Sequence, residues 1–469
     1  MTPIRTQSHA RVRPFRGPVQ AVAAGMLAVM AAAAALAQTP AAPSDSLTWN
    51  GITLYGIVDV GVQYQTHGVP ASDYFPAGTE AIIQKNSNGS VTAVTPNNWS
   101  QSRIGFSGNE PLVGDWAGVF RLETFFNPQS GDLSDALKSL VLNNGRALTS
   151  QTTNVDSSVA GQLFAGAAYA GFSSKSIGTF TFGRHVTPLA DGISKYDPMS
   201  ASQAFSLIGF SGTTAGGGDT EDRRLDQSVK YTGKYGPVHL GALYQFSGAS
   251  GSTNTAVQLT GGAEFGGFSA DAFYAKKYDA VAAAALSAAQ VEGDPKAKPP
   301  VAGLAALCNP PAPVPPAKAT PPLCISANNA LAGTISDNTT WAIMGSYSFE
   351  TLKLSAGYEN ITFKNPSNPL EAGTAIIGGY QLAYVNNTNF GKDKTLEVFW
   401  AGLKYTVMPQ FDLLAAYYGY RQNSYATGAD AGCSSAAISG KCSGTESSFS
   451  VVADYRFSKR FDGYLGTFY

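Results

Sequence analysis

The chain has 469 residues, of which 13% are charged and 11% aromatic, with 51 Gly, 6 Met and a mean hydropathy near zero. Soluble domains carry about 25% charged residues, so an ordinary soluble enzyme is a poor fit, and the low hydropathy argues equally against a bundle of apolar membrane helices. A formal net charge of −1 offers no basic surplus for nucleic acid.

The chain opens with a basic stretch (Arg5, Arg11, Arg13, Arg16), an apolar run over residues 21–37 and the small-x-small sequence Ala35-Leu36-Ala37. This pattern predicts a cleaved secretory signal over 1–37 and a mature domain over 38–469. Removing the leader takes away four Arg and no acid, leaving 27 basic against 32 acidic residues. An acidic exported chain is not expected to have a nucleic-acid partner.

From Ile52 onward the dominant period is two. Leu54, Gly56, Val58, Val60, Val62 and Tyr64 alternate with Tyr55, Ile57, Asp59, Gly61, Gln63 and Gln65, so one face suits hydrocarbon and the other water. The alternation recurs over 116–126, 237–246, 352–363 and 449–457. Strands of about ten residues with this dyad pattern predict an all-β transmembrane antiparallel β-barrel. Strand starts are expected near Ile52, Ser102, Trp116, Leu163, Gly178, Asp226, Val238, Ala256, Phe268, Asn338, Leu352, Thr395, Phe411, Thr445 and Phe461.

Short and long connections take turns between these strands. Short ones are predicted at 109–115, 174–177, 234–237, 266–267, 350–351, 408–410 and 458–460, and long ones at 67–101, 127–162, 187–225, 279–337, 364–394 and 423–446. The connection at 247–255 is of modest length. Tight turns on one rim and long loops on the other follow barrel topology. Trp116, Tyr235, Phe265, Phe268, Phe349, Phe411, Phe457 and Phe461 flank the short turns, where an interfacial aromatic girdle belongs.

The run 280–322 is rich in Ala, Pro and Lys. It is expected to stay out of any ladder and to form, with the residues up to 335, an extended outer loop. All four Cys fall in two close pairs, Cys308 with Cys324 and Cys433 with Cys442. In an oxidising compartment these predict two loop disulfides; no His lies near either pair, so no metal is expected there.

Taken in order, several segments resemble general porins of β-proteobacteria. They are 52–59 (Ile-Thr-Leu-Tyr-Gly-Ile-Val-Asp), 102–112, 120–125, Tyr169-Ala170-Gly171-Phe172, 178–184 (Gly-Thr-Phe-Thr-Phe-Gly-Arg), Asp197-Pro198, 228–232, Gly357-Tyr358-Glu359 and 453–460. The resemblance implies a homotrimer of sixteen-stranded barrels in the outer membrane of a Gram-negative bacterium. Each barrel would hold a water-filled pore for small hydrophilic solutes and ions, without a cofactor, narrowed by an infolded third outer loop, here 187–225.

Alternation places Arg103, Arg121, Glu123, Arg184 and Lys230 opposite Ile104, Leu122 and Val229, hence on the lumen face. The loop offers Asp191, Asp197, Asp219, Glu221 and Asp222 against Lys195, Arg223 and Arg224. A transverse field is therefore expected, basic wall facing acidic loop. Relatives commonly carry a basic residue shortly after the Phe of the fourth strand; this chain has Phe164-Ala165-Gly166-Ala167, which points to weak ion selectivity.

Three His remain outside the leader (His67, His185, His239), with no matched nucleophile motif, phosphate-cradling loop or metal-ligand spacing, so catalysis is not expected. Rival readings are a solute-specific channel, with Tyr55, Tyr418 and Tyr420 as its track, and an adhesin or receptor using the long loops. Fifteen strands are one short of the even number expected, which predicts that a final closing strand is missing beyond Tyr469.

Overall fold

The computed structural model describes residues 47–66, 90–147, 150, 159–208, 223–248, 255–308, 324–425 and 443–469. The expected leader, Asp219, Glu221, Asp222, Cys433 and Cys442 lie outside them. The chain divides into two compact units, one of 1–45 with Tyr455–Gly463 and one of 46–454 with 464–469. The described part of the first is a turn whose Tyr455, Phe457 and Phe461 rings pack at 4.9 and 5.5 Å, with the Arg460 amide donating to Ser458 Oγ.

The strands are β1 (Thr48–Trp49), β2 (Ile52–Ile57), β3 (Val60–Gln65), β4 (Val91–Pro96), β5 (Arg103–Pro111), β6 (Trp116–Phe125), β7 (Ala167–Ser174), β8 (Gly178–Val186), β9 (Arg224–Tyr235) and β10 (Val238–Gln245). They continue with β11 (Ala256–Phe265), β12 (Phe268–Ala284), β13 (Ala330–Phe349), β14 (Leu352–Lys364), β15 (Ile376–Ile377), β16 (Tyr380–Asn386), β17 (Lys394–Met408), β18 (Phe411–Gln422), β19 (Gly444–Ser458) and β20 (Phe461–Phe468). Helices α1 (Ala136–Val141), α2 (Pro188–Tyr196), α3 (Ala288–Glu292) and α4 (Leu304–Cys308) lie in the long connections.

Eighteen of these strands share one sheet, and β3 and β4 form a separate ribbon. Antiparallel ladders run in chain order from β2 through β5 to β14 and on to β17 and β18. Near the end of the sheet, Phe449 and Tyr469 exchange both backbone hydrogen bonds, at 2.8 and 2.9 Å. The sheet curls far enough for the Tyr464 hydroxyl to donate to Asp59 at 2.5 Å, and the Tyr464 and Trp99 rings lie 5.5 Å apart. Among the described residues no ladder joins β20 to β2, so the barrel is not closed.

The faces follow the period-two pattern. Leu54 pairs with Phe106 and Phe182 with Val229 on one face, where Leu54, Ile104, Phe106, Phe182, Leu240, Leu259, Ile343 and Leu413 are exposed. Leaving so many large apolar side chains in water would forfeit roughly 1.5–3 kcal/mol each. A hydrocarbon surround removes that cost, and for strands paired on both sides the ladders satisfy the backbone as lipid demands. Trp116, Tyr235, Phe265, Phe268, Phe349 and Phe461 are exposed beside the short turns, while Phe411 and Phe457 are half-buried.

The short turns fall where the sequence predicts. At 266–267 both glycines have positive φ, +54° and +82°, the conformation that lets a two-residue turn follow the strand twist. Two neighbouring turns are joined by Asp115, which accepts from Ser174 Oγ and Ser176 Oγ at 2.7 Å each and from the Ser176 amide at 3.0 Å. These hydrogen bonds hold the Asp115 carboxyl below its ordinary pKa. Its contribution is therefore present above the ordinary carboxylate range and lost as pH falls through the lowered value. Protection of the Ser176 amide, measured by hydrogen exchange and corrected for intrinsic rate, should drop on acidification, and Asp115→Asn should abolish that dependence.

The long connections differ from expectation. The Ala-rich run does join a ladder at its start: after a bulge past Lys277, Ala280 to Ala284 pair with Ser336 to Ala332. The reason is that the run carries no Pro before Pro295, so its first residues retain their amide donors. The connection 365–393 likewise holds β15 and β16, and β16 pairs in parallel with the start of β13.

Candidate pore wall and infolded loop

Tyr55 on β2, Arg103 on β5, and Arg121 and Glu123 on β6 meet on the inward face, because Tyr55 pairs with Gly105 and Gly105 with Glu123. Arg121 Nη2 lies 2.5 Å from Glu123 Oε2, with Arg103 Nε at 3.8 Å. The Tyr55 hydroxyl accepts from Arg121 Nε at 2.7 Å and donates to Glu123 Oε2 at 3.0 Å. Glu123 is buried, while the two Arg side chains keep 31% and 39% of their exposure. Two cations thus face open space over one buried anion.

The small residues at 165–166 now have a physical reason. The Gly166 amide donates to the Glu123 carbonyl at 2.9 Å, and a Cβ on Gly166 would come within 2.6 Å of Glu123 Oε1. A long basic side chain has no room there. The backbone of this segment instead receives two arginines: Arg184 Nε donates to the Ala165 carbonyl at 2.9 Å and Arg224 Nε to the Gly166 carbonyl at 3.1 Å. Arg224, counted with the loop from sequence, begins β9 on the wall, its guanidinium 4.5 Å from the Phe125 ring centre. Its place at a strand start, two residues before the expected one, was the signal available in the sequence. Arg184 also pairs with Asp226 at 2.6 Å.

The connection after β8 enters the concave side of the sheet. Thr187 caps α2 by accepting from the Ala190 amide, with Pro188 in the first turn. Leu189, Ile193 and Tyr196, spaced by four and three, form its buried face, while Asp191 and Lys195, four apart, face the wall. Asp191 pairs with Lys230 at 2.6 Å. Lys195 pairs with Glu264 at 2.7 Å and Asp271 at 3.2 Å. Burial would lower the Lys195 pKa, but these carboxylates hold it above its ordinary value. Asp271 also receives the Tyr196 hydroxyl at 2.5 Å and meets His239 Nε2. Between α2 and β7 to β12 lies a cavity of about 470 Å³, lined in part by Asp191, Lys195, Lys230, Lys234, His239 and Asp271.

Beyond α2 the connection is sealed against the far wall. Leu189, Ile193, Tyr196, Met199, Leu207 and Ile208 share one hydrophobic cluster with Phe273, Met344, Trp400, Tyr418, Tyr420 and Val452. Trp400 Nε1 donates to the Tyr196 carbonyl at 3.1 Å and the Tyr420 hydroxyl to the Leu207 carbonyl at 2.8 Å. Asp197 is 3% exposed and accepts from the Tyr418 hydroxyl at 2.5 Å and from the Met199 and Ala201 amides at 3.1 and 2.7 Å. Burial pushes the Asp197 carboxyl up, while these donors pull it down.

Three expectations are corrected by this geometry. Asp197 does not present charge to a lumen; it fastens the loop, because three donors converge on it behind a hydrophobic seal. Tyr418 and Tyr420 do not form a solute track, since both rings are buried under the same loop. Of the two expected disulfides, the one between Cys308 and Cys324 is not formed in this structure: both are thiols, with the Cys324 thiol 3.9 Å from the Cys308 carbonyl oxygen. The other, expected between Cys433 and Cys442, differs in standing: both residues lie outside the described part of the chain. Among the described residues the loop's other acid, Asp191, is taken up by Lys230 rather than set across from Arg103 and Arg121.

Gly192 fixes how closely α2 can approach. A Cβ there would lie 2.3 Å from the Phe273 ring, so Gly192→Ala is expected to destabilise the protein by about 1–3 kcal/mol through overpacking. Combining it with Phe273→Leu should recover part of that loss. Unfolding midpoints of the two single variants and the double variant check the coupling.

The Gram-negative porin family matches this chain over residues 21–363. No curated protein matches its sequence. Among solved structures, an anion-selective porin from Comamonas acidovorans is similar, with a TM-score of 0.53 and 16% identity over 88% of this chain and 86% of that one. OmpT, an outer membrane protein of Vibrio cholerae, has a TM-score of 0.49 and 13% identity over 91% of this chain and 89% of its own. At 16% identity the likeness to the Comamonas porin is one of fold.

Proposed function

This chain belongs to the Gram-negative porin family, and we propose that it conducts through the space between the Arg103–Arg121 wall and the docked loop that begins at Thr187. It is an outer-membrane channel for passive diffusion. The observation that carries the finer reading is the loop itself: its α2 and the residues after it pack on the inward faces of strands from β10 to β19 and so occupy part of the cross-section. What is left is bounded on one side by two partly exposed arginines whose charge is partly offset by Glu123.

A polar passage of this kind sorts solutes by size first and by charge second. It acts as a conduit for small hydrophilic solutes and ions, without catalysis, and assembles as a homotrimer through its apolar outer face. Partial neutralisation of the arginine wall supports weak ion preference, and the burial of Tyr418 and Tyr420 favours a general sieve over a solute-specific track. Liposome swelling with sugars, amino acids and organic anions of matched size tests this. Rates ranked by size alone support the general sieve; one solute outrunning its size class sinks it.

A further inference from the structure

The connection after β6 does not stay on its own rim. Asp135 caps α1, accepting from the Lys138 amide at 2.9 Å, and Leu137 and Leu140 on the same helix are buried against Ala283 of β12, Leu331 and Ile335 of β13, and Leu382 of β16. Asn144 fixes the far end: its Nδ2 donates to the Ala327 and Ala330 carbonyls at 2.8 Å each, and its Oδ1 accepts from the Leu286 amide at 2.7 Å. The Tyr380 hydroxyl donates to Asp135 at 2.7 Å.

In the order of ladders β6 is separated from β12 by five strands, β7 to β11. The sheet curls so far that Tyr464 of β20, the last strand, reaches Asp59, which lies between β2 and β3. Strands this far apart in a curled sheet face one another across its interior. A connection rooted on β6 and docked on the outer ends of β12 and β13 therefore passes over the end of the lumen.

We propose that residues 127–147 form a fixed strut across the long-connection mouth of the channel, sieving solutes by size before they reach the loop that begins at Thr187. The proposal rests on the diffusion reading above. Fixity follows from the burial of Leu137, Leu140 and Leu331 and from three hydrogen bonds on one asparagine, which together leave the strut no loose end on the far side. The solutes it acts on are bulky neutral or polar molecules, since the obstruction is steric.

Neutral polyethylene glycols of graded size, applied to one side of a single inserted channel and then to the other, test the strut in the unaltered protein. The expected result is unequal cut-offs: polymers that enter and lower conductance from one side are excluded from the other. Asn144→Ala combined with Leu137→Asp should bring the two cut-offs together by raising the smaller one. Equal cut-offs in the unaltered protein overturn the proposal, as does an unchanged cut-off in a variant that still inserts and conducts. Absence of any channel steps would instead count against the diffusion reading.

Discussion

Replacing Asp197 with Ala is expected to loosen the docked loop while leaving the ladders of the sheet in place. The substitution leaves the Tyr418 hydroxyl and the Met199 and Ala201 amides without their acceptor. Each buried donor so orphaned costs about 1–3 kcal/mol. None of these groups takes part in a strand ladder through the lost bond, so the loss falls on the loop. Conductance should change from steady to noisy as the loop moves, and heat stability of the folded form should fall. Tyr418→Phe removes one of the three bonds and should show a smaller version of the same change. In the Asp197→Ala background it should add little, because the partner is already gone. An Asp197→Ala channel as quiet and as heat-stable as the parent would sink this account of the loop.

Glu123→Gln should turn the channel towards anions. The carboxylate is buried beneath Arg103 and Arg121, which are themselves partly exposed, so removing its charge leaves two cations facing the passage. A unit charge at about 4 Å is worth about 1 kcal/mol even in bulk water, roughly fivefold in local anion concentration. The zero-current potential across a salt gradient should shift in the anion-selective direction by an amount of that order. Arg121→Gln should shift it the other way. Glutamine keeps the shape of Glu123 beside Gly166, so the change reports charge rather than repacking. An unchanged potential in Glu123→Gln would show that the ions pass elsewhere.

Much of the fold is legible in the sequence because a membrane barrel imposes one rule on every strand. Lipid-facing positions must be apolar and inward ones need not be, so the parity of Leu54, Ile104, Leu122 and Val229 assigns Tyr55, Arg103, Arg121, Glu123 and Lys230 to the other face. Two-residue turns such as 266–267 mark the opposite rim by their positive φ angles. The rule lapses in the loops. Nothing periodic distinguishes Asp191, which meets a wall lysine, from Asp197, which is sealed under aromatic rings. Inward parity likewise does not separate a lumen-facing tyrosine from Tyr418 and Tyr420, because whether a loop covers them depends on contacts more than 200 residues distant in the chain. Gly166 reads as a missing arginine until the Glu123 carboxylate is seen beside it. The alanines at 280–284 reveal their strand only through their partners on β13.

The most direct test of a diffusion channel lined by polar walls and narrowed by a docked loop is single-channel conductance of the purified protein across a wide range of KCl concentration. Stepwise conductance that rises in proportion to the conductivity of the bulk salt is the predicted result, as for ions moving through water. Absence of steps, or conductance that saturates at low salt, would contradict it.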